Sequence, residues 1–177
     1  MNYYKEQQKE IETIKERTIT LKLSDADCER IARKAGRHGL TVANLLESFI
    51  GDLVDGTYSN GSDERHYAER WFERCWFGAF PEETLLKYFF DFGYDMKDIE
   101  DFIYVCDEIK YYEANPEEYQ EELAEAKEDG KNMIWCEEEY HDYMDDFINS
   151  HDEVDIDKEI ELCRKWLNEF KNIKGEI

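Results

Sequence analysis

Basic side chains are scarce in this chain of 177 residues: 22 Lys and Arg stand against 45 Asp and Glu, a formal charge of −23. As an average, that balance argues against a polybasic nucleic-acid or membrane binder. Proline and glycine are also few, two and nine residues, so little interrupts the periodic stretches. No run approaches the roughly 18 apolar residues of a membrane span. The polar and charged Met1–Glu10 lacks the apolar stretch of a signal peptide. The five cysteines (Cys28, Cys75, Cys106, Cys136 and Cys163) include no CxxC pair, and their odd number excludes a complete set of intrachain disulfides. A reduced, cytoplasmic protein with no membrane partner is therefore expected, its cysteines mostly filling core positions. A P-loop, a dinucleotide-binding glycine pattern, a nucleophile elbow and a deaminase signature are all missing. Neither an enzyme nor a cofactor is expected.

What is present supports a core. Hydrophobic residues make up 41% and aromatics 15% of the chain, enough to exclude wholesale disorder. Partitioning the charge at GTYSNG, residues 56–61, is informative. Residues 1–55 hold nine basic and ten acidic side chains, whereas residues 56–177 hold 13 and 35, a net of −22. The pattern predicts a polar arm over 1–16, a small module over 17–55, a linker at 56–61 and an acidic helical domain over 62–177.

In the small module, Ile19, Leu21 and Leu23 alternate with Thr18, Thr20 and Lys22. That period of two predicts a half-buried strand over Arg17–Leu23. Ser24 and Asp27 form a helix start, and Thr41 starts a second helix carrying Leu45, Leu46 and Phe49 on one face. One strand without a neighbour leaves its backbone half unpaired, so a second copy is expected to supply the missing strand. RTITLKLSDADCERIARKAGRHGLTVANLLESFIGDLV resembles a ribbon-helix-helix domain of the MetJ/Arc type. The resemblance implies an obligate homodimer held by Ile19, Leu21, Leu23, Leu45, Leu46 and Phe49. It also implies double-stranded DNA read by Thr18, Thr20 and Lys22, with a phosphate clamp at Thr41. Arg17 is placed to contact the DNA backbone, or merely to solvate the surface. A dimerisation ribbon with no DNA role is the plainer alternative.

The second part reads as a series of amphipathic helices, with the aromatic runs Trp71–Phe80 and Tyr88–Tyr94 at core spacing. Tyr111, Tyr112, Tyr140 and Tyr143 stand among acids and are candidates for an interface. Acids cluster at Glu117–Glu128, Glu137–Asp146 and Asp152–Glu161, and Glu138, Asp142, Asp145 and Asp146 fall near one helical face. Such a face is ordinarily solvated. Alternatively, it imitates the phosphate array of nucleic acid and engages a basic protein groove. By charge, this is analogous to the phage and mobile-element inhibitors of nucleases, including anti-CRISPR and anti-restriction proteins. GSDERHYAERWFERCWFGAFPEETLL resembles mobile-element proteins of gut Firmicutes, which assigns no chemistry. Glu137, His141 and Asp145 recur at i,i+4 and suit an ion-pair stripe better than a metal site. Glu153, Asp155 and Asp157 open like a calcium loop, but Lys158 and Arg164 occupy positions that need glycine and a bidentate acid. The expected architecture is mainly α: a ribbon-helix-helix module followed by an acidic helical domain. The expected function is a dimeric DNA-binding regulator with an acidic protein-interaction domain. The alternative is a nuclease inhibitor acting through an acidic, DNA-mimicking surface.

Overall fold

The computed structural model describes residues 3–151 and 153–176. Its helices are α1 (Tyr3–Glu12), α2 (Asp25–Gly36), α3 (Val42–Leu53), α4 (Ser62–Arg74) and α5 (Trp76–Ala79), then α6 (Leu85–Asp91), α7 (Met96–Ala114), α8 (Pro116–Glu128), α9 (Trp135–Ser150) and α10 (Ile156–Lys174). The mainly-α expectation holds. The ribbon-helix-helix expectation does not, because no β-strand occurs among the described residues. Residues 14–24 carry no helix or strand, and Ile19, Leu21 and Leu23 are about half exposed. Alternating side chains are not sufficient for a strand, since its N–H and C=O groups need an extended neighbour. Among the described residues none is present. Without the ribbon, the family resemblance fails, and so does the DNA-binding regulator built on Thr18, Thr20 and Lys22.

The adjacent helices follow local chemistry. At the start of α2, Ser24 Oγ accepts the Asp27 N–H at 3.2 Å. At the start of α3, Thr41 Oγ1 accepts the Asn44 N–H at 3.1 Å, and Asn44 Oδ1 accepts the Thr41 N–H at 3.3 Å. This reciprocal box satisfies two helix-end donors. The Thr41 hydroxyl also donates to Asn44 Oδ1 at 2.6 Å, so it serves the helix end. Arg17 donates to the Thr13 carbonyl at 3.2 Å.

The chain divides into two compact units, Met1–Glu82 and Glu83–Ile177. In the first, α3 packs against α2 and α4, and α4 against α5. Residues 56–61 lie inside this unit and are tied to α3. Asn60 donates its backbone N–H to Asp52 Oδ1 at 2.6 Å and its side-chain amide to Asp52 Oδ2 at 2.8 Å. These bonds hold the Asp52 carboxyl below its usual range, the Asn60 backbone N–H contributing most. The turn approaches α3 so closely that a Cβ on Gly51 would lie 2.6 Å from the Tyr58 carbonyl carbon.

Ala35 and Ala68 are the only buried hydrophobic side chains among the described residues of this unit. The rings expected in its core are exposed instead: Trp71, Phe72, Trp76, Phe77 and Phe80, the last at 79%. Trp71, Phe72, Trp76 and Phe77 gather against one another and Phe49, with Phe49–Trp71 centroids 5.4 Å apart and Phe72–Phe77 5.2 Å. Because α5 has only four residues, no second layer of this unit covers them.

The second unit has a true core. Leu85 and Phe89 of α6, Ile99, Phe102, Ile103 and Cys106 of α7, Met144 and Phe147 of α9, and Ile160, Cys163 and Leu167 of α10 form one buried cluster. A smaller cluster, Val105, Ile134 and Cys136, packs against Tyr119 and Leu123 and seats α8. Polar clamps close the seams. Glu159 accepts the Leu85 N–H at 2.8 Å, and Arg164 forms a bidentate pair with Asp107 at 2.7 and 3.1 Å. No helix among the described residues is long and apolar enough to cross a membrane.

Candidate protein-interaction surface

Ten Lys and Arg face 30 Asp and Glu in the second unit, residues 83–177. No charged side chain among the described residues is buried, so this charge faces solvent. Two cations occupy the seam between α10 and α7, where Arg164 meets Asp107 and Lys171 meets Glu100, while Lys87 pairs along its own segment with Glu83 and Asp91. Helix α9 differs, carrying six acids in 16 residues and no Lys or Arg.

Its length is about 24 Å at ~1.5 Å per residue, which gives roughly one carboxylate per 4 Å. One strand of B-DNA places a phosphate every ~3.4 Å. The helix therefore matches the linear charge density of a single strand and falls short of a duplex by about half. Helix α8 adds six more acids against a single Lys.

The acids predicted on one face differ in their surroundings. Lys131 lies 2.5 Å from Glu138, and His141 Nδ1 lies 2.9 Å from Asp145. Asp142 and Asp146 form no salt bridge with another described residue. Glu137 is committed elsewhere: it accepts the Ile134 N–H at 3.1 Å and the Tyr119 hydroxyl at 3.1 Å. It therefore does not join His141 and Asp145 around a metal. No group of three or more His, Cys, Asp or Glu is arranged to hold an ion among the described residues. Asp152, at the head of the third acidic run, lies outside those residues.

Sequence reasoning missed a groove between α7 and α9. It has a volume of about 510 Å³. Tyr104 and Trp135 stack across it with centroids 5.9 Å apart and planes 24° apart. Tyr94 and Tyr143 form a second ring pair at 5.7 Å, and Asp101, Glu139 and Asp142 supply carboxylates. Burial, followed by the negative charges of Asp101, Asp98 and Glu139, pushes the Tyr143 hydroxyl up to about 12. One available signal was the i,i+3 pair Asp101 and Tyr104, on the side of α7 opposite Ile99, Phe102 and Ile103. Of the tyrosine candidates, Tyr143 lies in the groove, Tyr140 packs against both core clusters, and Tyr111 donates to Glu118 at 2.5 Å.

A depression on α4 in the first unit, lined by His66, Arg70, Trp71 and Arg74 among others, carries charge of the opposite sign. Cys28 is exposed, Cys75 half-buried, and Cys106, Cys136 and Cys163 are buried thiols. No protein-family model, no curated protein and no solved structure matches the chain.

Proposed function

We propose that this is a cytoplasmic, non-enzymatic inhibitor of the kind phages and mobile elements direct against nucleases, and that its acidic second unit occupies the nucleic-acid channel of such a nuclease. The observation that carries the reading is α9: six acids and no Lys or Arg, close to the linear charge density of one nucleic-acid strand, with Glu139, Asp142, Asp145 and Asp146 exposed. Such an array raises association rates with a basic groove and repels nucleic acid itself. A helix under no functional demand gains stability from alternating charges; α9 forgoes that gain.

The test reverses charge with the fold kept intact. Glu138→Lys, Asp142→Lys, Asp145→Lys and Asp146→Lys together abolish capture of the partner while the helical circular-dichroism spectrum persists. Unchanged capture contradicts the reading.

Self-association belongs to the same proposal and uses a different surface. The first unit holds 12 basic and 15 acidic residues, so two copies approach without strong repulsion. Phe49, Trp71, Phe72, Trp76 and Phe77 offer an open aromatic face of the kind a partner covers. Light scattering coupled to size exclusion is expected to give a dimer, and Trp76→Glu a monomer. A wild-type monomer at micromolar concentration contradicts this part alone.

A further inference from the structure

We propose that the groove between α7 and α9 seats an arginine side chain from a basic protein segment, an assignment that rests on the acidic-surface reading above. Four features converge there. Tyr104, 55% exposed, and Trp135 present a stacked pair of aromatic rings. Glu139 and Asp142 form no salt bridge with another described residue, and Asp101 has only Lys97 at 4.0 Å. The field of Asp101 and Glu139 reaches the Tyr143 hydroxyl. The groove, open to solvent and about 510 Å³ in volume, has room for a guanidinium and the residues beside it.

Each alternative occupant leaves part of this unmatched. A metal ion needs converging oxygens, and no such group exists among the described residues. A nucleobase would stack, but its phosphate would meet three carboxylates. An aliphatic side chain would cover the rings and leave the carboxylates desolvated without partners. Lysine brings the charge but no plane. Arginine brings a flat, weakly hydrated cation that stacks on Tyr and Trp and donates in a fork to carboxylates. The groove is larger than one side chain, so residues flanking the arginine occupy the remainder.

The test uses the full chain with hexa-arginine and hexa-lysine peptides of equal charge at physiological salt. Calorimetry gives affinity, and the Trp135 indole N–H resonance reports the groove. Hexa-arginine is expected to bind about fivefold more tightly and to shift Trp135, while hexa-lysine binds without that shift. Tyr104→Leu removes the preference and leaves hexa-lysine affinity unchanged. Should that variant lose helicity, Glu139→Gln with Asp142→Asn decides instead, by reducing the arginine peptide's affinity more than the lysine peptide's. Equal affinities without a Trp135 shift overturn the arginine seat and leave the acidic-surface reading standing. Failure of both peptides to bind overturns both. Free arginine amide binding as tightly as the peptide overturns the assignment to a protein segment.

Discussion

An Asp142→Asn substitution is expected to raise stability while lowering partner binding, and the size of the first effect follows from positions on α9. Asp142 lies three or four residues from Glu138, Glu139, Asp145 and Asp146, so it shares four like-charge contacts on one stretch of helix. Lys131 damps the contact with Glu138, and His141 damps that with Asp145. The pairs with Glu139 and Asp146 remain. At about 0.2–0.5 kcal/mol each, they give a recoverable ~0.4–1 kcal/mol. Asparagine has nearly the same volume and helix propensity as aspartate, so charge is the main change. Urea unfolding followed by circular dichroism measures it. The gain should be present near 0.01 M salt, where the Debye length is ~30 Å, and vanish near 1 M, where it is ~3 Å. A destabilised variant, or an equal gain at both salts, refutes the electrostatic argument. The same variant should bind the partner less well, because Asp142 lines the groove. Gained stability with lost binding marks a residue kept for function.

Phe89 is 1% exposed and lies 5.0 Å from the Phe102 ring, so Phe89→Ala should cost about 3–5 kcal/mol in urea unfolding; a cost below ~1 kcal/mol contradicts the assigned core. A Cβ on Gly78 would strike the Phe72 carbonyl oxygen and reach within 3.2 Å of Glu73 Cα. Gly78→Ala should therefore cost the first unit about 1–3 kcal/mol, seen as a lowered melting transition; an unchanged transition contradicts the α4–α5 turn. Burial pushes the Cys106 and Cys163 thiols from 9.0 to about 12 and Cys136 to about 11. A raised thiol pKa favours the folded state while the thiol is neutral, so this stability is complete below about pH 9. It is lost as pH rises toward 12. Alkaline unfolding should set in above pH 9, and at pH 8 a thiol reagent should label Cys28 before the three buried cysteines. Equal labelling rates contradict their burial.

The parts of the fold legible in the sequence were those set by local chemistry. The Ser24–Asp27 and Thr41–Asn44 caps fix helix starts within four residues of chain, and the apolar stripes of α7 and α10 point into the core at Ile99, Phe102, Cys106, Ile160 and Cys163. The segment Arg17–Leu23 misled because strand formation depends on a distant partner, which a pattern of seven residues does not encode. Trp71–Phe80 misled for a related reason: helical spacing shows which rings share a face and cannot show whether another layer covers it. On the acidic face, sequence gave Glu138, Asp142, Asp145 and Asp146 equal weight. The fold separates them, since Lys131 and the α7 residues Asp101 and Tyr104 reach α9 only through tertiary packing.

Competition at the acidic surface tests the central claim most directly. The full chain is immobilised, exposed to a lysate of its native host, and washed with duplex DNA of mixed sequence. The account predicts that a captured nucleic-acid-binding protein is released by the duplex and is not captured by the variant with Glu138, Asp142, Asp145 and Asp146 changed to lysine. A partner that stays bound against excess duplex, or that the charge-reversed variant captures equally, contradicts it.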